Sequence, residues 1–207
     1  MSLFIYTEIF IDECYDLSFN DEKTLNIIDI GSNTGMFILR MKQCYPNSFI
    51  TGYEPMPFVF KQLSDNLNNN SIQDCKVFQK GVGGKNRMEK LYIHPTNIGG
   101  NSFFKDMTKN SSFIEIEVID IHEMLANLGD ADCDLIKLDC EGAEYEILKS
   151  LTPETAAKIK RIIYEPTPSI YNPSELNDYL ASLGYHFEEP TKHGLYVGLY
   201  QDVAATA

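Results

Sequence analysis

The chain has 207 residues, 43% of them hydrophobic and 23% charged, which is the size and balance of one globular domain with a substantial core. A formal net charge of -13 repels polyphosphates, so nucleic acid is excluded as a natural partner, while a small neutral or cationic ligand suits that surface. No apolar run approaches the ~20 residues that a membrane span needs, so no membrane partner is expected.

The first residues lack the basic segment and cleavage site of a secretory leader, so no signal peptide is expected and the expected location is the cytoplasm. Cysteine usage agrees. Cys14, Cys44, Cys75, Cys133 and Cys140 are scattered, odd in number and form no C-x-x-C, so neither a disulfide framework nor a zinc site is expected. The four histidines, His94, His122, His186 and His193, do not cluster either.

Taken in chain order, the pattern predicts a strand over 25–30, a helix over 34–44, a strand over 49–54 and a helix over 57–67. Three asparagines and a serine over 68–71 break that helix. A third strand is predicted over 75–80, and two more over 90–94 and 113–119. They flank a polar, glycine-bearing loop over 95–112, long enough to serve as a lid or substrate loop. A helix over 121–128, a strand over 134–139, a helix over 143–151 and a strand over 160–165 follow. The last elements are a helix over 174–183 and a hairpin of strands over 185–188 and 194–200. Strand–helix alternation points to a doubly wound α/β sheet. The short final connection points to an antiparallel strand inserted beside the last parallel one. The expected organisation is a single domain over 1–207, with 1–24 as an extension, 25–165 as the cofactor-binding core and 166–207 as the C-terminal helix and hairpin.

The segment 28–35, Ile-Asp-Ile-Gly-Ser-Asn-Thr-Gly, is the most informative. A strand ends near Asp29, Gly31 and Gly35 bracket a polar turn containing Asn33, and a helix begins, which presents a helix N-terminus to a ligand. Glu54 follows Gly31 by 23 positions at the end of the next strand. An acid at about that spacing holds a ribose diol in nucleoside-binding folds.

Four blocks resemble the FkbM family of S-adenosylmethionine-dependent methyltransferases: 28–35, Tyr-Glu-Pro-Met-Pro over 53–57, Val-Ile-Asp-Ile-His-Glu-Met-Leu over 118–125, and Asp-Leu-Ile-Lys-Leu-Asp-Cys-Glu-Gly-Ala-Glu over 134–144. The last is the most diagnostic. The resemblance implies a Rossmann-like class I methyltransferase fold, S-adenosyl-L-methionine as cofactor, and methyl transfer to a hydroxyl of a sugar or small metabolite. Ser32 stands where a small alanine is usual, and Gly81-Val-Gly-Gly where an alanine-leucine-glycine turn is usual.

On that reading Gly31 and Gly35 let the backbone approach the methionine part of the cofactor, with Asn33 in the same turn. Asp29 holds the amino group, directly or through water. Glu54 accepts two ribose hydroxyls. Val82 contacts the adenine. Asp139, at a strand end, is the first candidate for general base and Glu141 the second, with a structural or orienting role as the alternative for both. Glu144 falls in a first helical turn, where an acid also suits the helix dipole. Ser102, in the long loop with His94, Asn101 and Phe103, and Glu165, at the next strand end, are candidate acceptor contacts. No metal is assigned, although Asp139 and Glu165 together would offer oxygen ligands. Tyr164 and Tyr171 are either pocket walls or core filler. Competing readings are a non-catalytic protein of the same fold and a nicotinamide-dependent oxidoreductase. Against the latter stand the missing G-x-G-x-x-G and the lack of a Tyr-x-x-x-Lys pair suited to hydride chemistry.

Overall fold

The computed structural model describes residues 2–19, 24–97, 99–129 and 131–201. The chain opens with a helix α1 (Ser2–Tyr6) that runs into one π-helical turn over Thr7–Ile11. Then come β1 (Asn26–Ile30), α2 (Met36–Cys44), β2 (Phe49–Tyr53), α3 (Pro57–Asn69) and β3 (Cys75–Phe78). The middle holds β4 (Gly81–Gly83), β5 (Arg87–Tyr92), α4 (Lys105–Thr108), β6 (Phe113–Asp120) and α5 (Ile121–Ala126). The last part holds β7 (Leu135–Leu138), α6 (Glu144–Lys149), α7 (Pro153–Ala156), β8 (Arg161–Tyr164), α8 (Pro173–Ser182), β9 (Tyr185–Phe187) and β10 (Tyr196–Tyr200).

Seven strands form the main sheet in the order β3-β2-β1-β7-β8-β10-β9. The first five are parallel, and β10 runs antiparallel to both β8 and β9. This is the doubly wound α/β sheet with an inserted antiparallel strand that the sequence predicts. Alternation along β1 sends Leu25 and Ile27 into a core with α2 and α3, and Ile28 and Ile30 into a core with α6 and α8. β7 repeats the pattern, with Leu135 on the first side and Ile136 and Leu138 on the second.

The departures from expectation have local causes. Helix α2 starts at Met36 because Gly35, at φ +86°, turns the chain left-handed immediately before it. The strand predicted over 75–80 stops at Phe78, and 81–83 leaves the main sheet to pair with β6. A second sheet, β4-β6-β5, therefore stands beside the first. The long loop is not structureless: it carries α4, and Ser102 bridges back to Tyr92 through reciprocal backbone hydrogen bonds.

The parallel strands bring their carboxyl ends to one edge, and β2, β1, β7 and β8 are successive neighbours there. Glu54, Gly31, Asp139 and Glu165 are the residues that follow those four ends. The rim is thus built by topology from residues far apart in sequence, as ligand sites of open α/β sheets are.

Candidate active site

The glycine loop is shaped by a close approach between backbones. A Cβ on Gly31 would lie 1.9 Å from the carbonyl oxygen of Asp139, and the residue holds φ +78°. Only glycine fits there. Asn33 also adopts a left-handed conformation, φ +48°, a position asparagine tolerates. Its backbone N–H donates to Glu54 Oε2 at 3.0 Å, and Met56 N–H donates to Glu54 Oε1 at 2.9 Å. Each Glu54 oxygen thus has one partner and keeps acceptor capacity. Burial pushes the Glu54 carboxyl up to about 7, against the lowering effect of those two N–H groups.

Beneath the loop lies a charge pair that register creates. Asp29 on β1 sits beside Lys137 on β7, and both point to the same face. Lys137 Nζ is 3.0 Å from Asp29 Oδ1, donates to Gly31 O at 2.9 Å and is 3.7 Å from Asp139 Oδ2. Burial raises the Asp29 carboxyl and the ammonium pulls it back; Lys137 stays charged because Asp29 and Asp139 outweigh its own desolvation. The ammonium ties the β1 loop to the end of β7.

Two cavities meet at this loop and share Gly31, Asn33 and Asp139. The first continues past Glu54, Val82, Phe103 and Glu141. The second continues past Thr34, Glu8, Tyr15, Glu165 and His193.

At the end of β7, Glu144 organises the turn. It is fully buried, and its oxygens accept from Cys140 N–H at 2.8 Å and Gly142 N–H at 2.9 Å. Thr167 and Tyr171 hydroxyls approach one of those oxygens at 3.4 Å. Its work is to hold the 139–143 turn, a more specific role than a helix-dipole acid. Within that turn Glu141 is left-handed, φ +53°, a conformation that costs a residue other than glycine about 1–3 kcal/mol and concentrates at functional sites. Its carboxylate has no hydrogen-bond partner among the described residues. Burial, then Asp139 and Glu144, push it up to about 7. Asp139 is engaged: Tyr15 donates its hydroxyl to Oδ2 at 3.3 Å, beside the Lys137 ammonium.

The structure gathers Gly31, Asn33, Glu54, Val82, Asp139 and Glu141 around one cavity. Three of the expected residues lie away from both cavities. Asp29 is wholly buried with Lys137 and borders neither cavity, so it supports the loop from below. Gly35 borders neither cavity either; its missing side chain makes room for Leu63 of α3, whose Cδ1 would be 2.6 Å from a Cβ. Ser102 is buried, donates to Glu141 O at 2.7 Å and accepts from Phe104 N–H at 3.1 Å. Both its bonds are internal and it borders neither cavity, so it pins the long loop to the 139–143 turn while Asn101 and Phe103 face the first cavity. His94 caps its own loop, its Nδ1 accepting from Asn97 N–H at 2.9 Å. Tyr164 and Tyr171 are core filler with bonded hydroxyls. Glu165 has an exposed side chain but borders the second cavity, where desolvation of its carboxyl by the wall, then Asp139 and Glu141, raise it, Lys137 pulls it back and water screens the effect.

Sequence reasoning missed Lys137, whose signal was available: a lone lysine inside an apolar strand needs a buried counter-ion. It also missed Glu8, Tyr15 and His193, for which the sequence carries no signal, because distant segments deliver them.

Among the described residues no helix is long and apolar enough to cross a membrane, and no three His, Cys, Asp or Glu side chains are grouped to hold a metal ion. The Methyltransferase FkbM domain family matches residues 29–187. "Methyltransferase 1" of Beauveria bassiana is 31% identical over 181 residues, covering 78% of this chain and 72% of that protein. The "31-O-demethyl-FK506 methyltransferase FkbM" of Streptomyces tacrolimicus is 22% identical over 191 residues, covering 78% of this chain and 73% of that one. Among solved structures, the methyltransferase FkbM of Methylobacillus flagellatus KT superposes with a TM-score of 0.63 at 17% identity, over 89% of this chain and 45% of that chain. This chain thus spans under half the length of that protein, and the likeness concerns the fold. With a matching family domain over most of its length and a rim built on that family's blocks, this chain belongs to the FkbM methyltransferase family.

Proposed function

We propose that this protein transfers a methyl group from S-adenosylmethionine to a hydroxyl of a sugar or small metabolite. The carrying observation is the Glu54 carboxyl, held by two backbone N–H groups at the wall of a cavity that also contains Gly31, Asn33 and Val82. Such a carboxyl has spare acceptor sites for a ribose diol, and Val82 and Phe103 offer apolar surface to a purine, so the residues present fit the cofactor. When bound, that donor supplies a methyl group on a positively charged sulfonium, which leaves as a neutral thioether as the C–S bond breaks and the C–O bond forms.

The remaining work falls to this chain. The acceptor hydroxyl must lose a proton as it attacks. Glu141 is the better-placed base, because its carboxylate is uncommitted and titrates near neutral pH. A base of that strength accepts a proton efficiently at pH 7. Asp139, shared between Tyr15 and Lys137, orients the site. The name of the Streptomyces relative, a 31-O-demethyl-FK506 methyltransferase, supports oxygen as the acceptor atom.

Parallel calorimetric titrations with S-adenosylmethionine, S-adenosylhomocysteine and NAD test the donor. Micromolar binding of the first two and none of NAD is expected. NAD binding alone would overturn the assignment, and silence from all three would favour a protein of the same fold without the activity.

A further inference from the structure

Glu141 carries its carboxylate on a backbone that does not hold its shape unaided. φ is +53° at Glu141 and +104° at Gly142, so two residues in succession lie in the left-handed region. A residue other than glycine keeps such a φ only where its surroundings over-determine it. Here the peptide unit between Glu141 and Gly142 is held at both ends. Gly142 N–H donates to Glu144 Oε2 at 2.9 Å, and Glu141 O accepts the Ser102 hydroxyl at 2.7 Å. Cys140 N–H, on the other side of Glu141, donates to Glu144 Oε1 at 2.8 Å. Glu144 belongs to the helix that the turn leads into, so it moves with the turn. Ser102 is the hold that comes from another part of the chain.

Ser102 is itself fixed. Its backbone exchanges two hydrogen bonds with Tyr92 at the end of β5, at 2.8 and 3.2 Å. Its hydroxyl has one proton; Phe104 N–H donates to the oxygen at 3.1 Å, and the proton goes to the Glu141 carbonyl. At 1% exposure, water does not compete for that bond. The second sheet is in turn docked on α6. Arg87 of β5 meets Glu146 through two parallel bonds of 2.7 and 2.9 Å, and Glu146 also accepts Gly84 N–H at 3.0 Å. Phe104 closes over the same turn, its ring 3.0 Å from where a Cβ on Gly142 would lie.

We infer that Ser102 is a positioning residue for the base: through its hydroxyl the second sheet clamps the Glu141–Gly142 peptide and points the Glu141 carboxylate into the donor cavity. This deepens the methyl-transfer reading and rests on Glu141 being the base. Ser102 borders neither cavity, so it acts through residue 141 and not on a ligand. Without the hydroxyl, one end of the peptide is free to rotate. The left-handed strain at Glu141 then relaxes, and its carboxylate swings toward water.

The test follows the Glu141 carboxyl itself, in ligand-free full chain labelled with ¹³C at the glutamate carboxyls and titrated by NMR. The Glu141→Gln spectrum identifies the signal. In the unaltered protein the midpoint is expected at about 7, set by burial, then by Asp139 and Glu144. Ser102→Ala should lower it by about one pH unit or more, because a carboxyl that reaches water loses the largest of those causes. Ser102→Thr, which keeps the hydroxyl, should restore most of the difference. Phe104→Ala, a change at an exposed side chain, should act in the same direction by a smaller amount, and decides the matter if Ser102→Ala does not fold. The Glu54 carboxyl, on another wall of the same cavity, should stay in place in every variant. A Glu141 midpoint unmoved by Ser102→Ala and Phe104→Ala would overturn the inference. So would Ser102→Thr behaving as Ser102→Ala, or an equal movement of Glu54, which would mark general loosening of the cavity. Full methyl transfer by Glu141→Gln is a separate result; it would remove the base reading underneath.

Discussion

Replacing Glu54 by alanine is the sharpest test of the site. The carboxyl accepts one backbone N–H on each oxygen, from Asn33 and from Met56, and about two acceptor sites remain toward the cavity. Two ribose hydroxyls donating there would each contribute about 1.5–3 kcal/mol, the range for hydrogen bonds to a charged group. Because the free carboxyl titrates at about 7, half of it must lose a proton at neutral pH, which costs about 0.4 kcal/mol. Water refilling the truncated site returns part of the remainder. The expected loss is about 1.4–4 kcal/mol, a tenfold to thousandfold weaker affinity for S-adenosylhomocysteine. Calorimetry reads the affinity, and urea unfolding of the same samples confirms that the variant is folded. A 2′-deoxyribose analogue closes the cycle: it should bind the unaltered protein weakly, yet Glu54→Ala should scarcely distinguish the two ligands. A folded Glu54→Ala protein with unchanged affinity would refute the reasoning.

Four further outcomes are expected. Gly31→Ala must open the 1.9 Å approach to Asp139 O and hold φ +78°, so it should cost more than about 2 kcal/mol in urea unfolding; Gly35→Ala must hold a similar φ, +86°, but its nearest contact is the movable Leu63 Cδ1 and not backbone, so it should cost less. Lys137→Met strands the wholly buried Asp29 and should cost about 3–5 kcal/mol, most of it recovered when Asp29→Leu is added. Glu141→Gln should lower single-turnover methyl transfer by about 10²–10⁴ with S-adenosylhomocysteine affinity held within about twofold, and a larger effect of Asp139→Asn would reverse the assignment of the base. Finally, the ligand-free protein should lose stability as pH rises. Burial pushes the Glu54 and Glu141 carboxyls up to about 7 in the folded protein against an ordinary 4.5, so folding favours their protonated forms. Their contribution is complete below about 4.5 and lost as pH passes through 7; Glu54 alone represents about 3 kcal/mol across that window. Thermal melts from pH 5 to 8 would show the decline, and S-adenosylhomocysteine should offset part of it, because its hydroxyls favour the Glu54 carboxylate.

The parallel sheet, the glycine turn and the acid that answers it are legible along the chain, because these are local in origin. Period-2 and period-3.6 patterns report which face each residue buries, and Gly31 and Glu54 sit at strand ends that the pattern locates. The inserted C-terminal strand was also legible, because its short connection leaves no room for a crossover. Tertiary structure alone decided which polar residues reach solvent-filled space. Asp29 and Glu54 both lie at the carboxyl ends of strands, yet register pairs Asp29 with Lys137 underneath the loop while Glu54 turns toward the cavity. Ser102 and Phe103 are neighbours in one loop, yet only Phe103 faces the cavity, because the bridge to Tyr92 turns Ser102 inward onto Glu141. Strand 81–83 left the main sheet for pairing with β6, a choice made by a partner 37 residues away. Glu8, Tyr15 and His193 meet Asp139 and Glu165 only because the two ends of the chain fold over one rim. Long-range contacts of this kind depend on packing across the whole sheet, and no window of the sequence contains them.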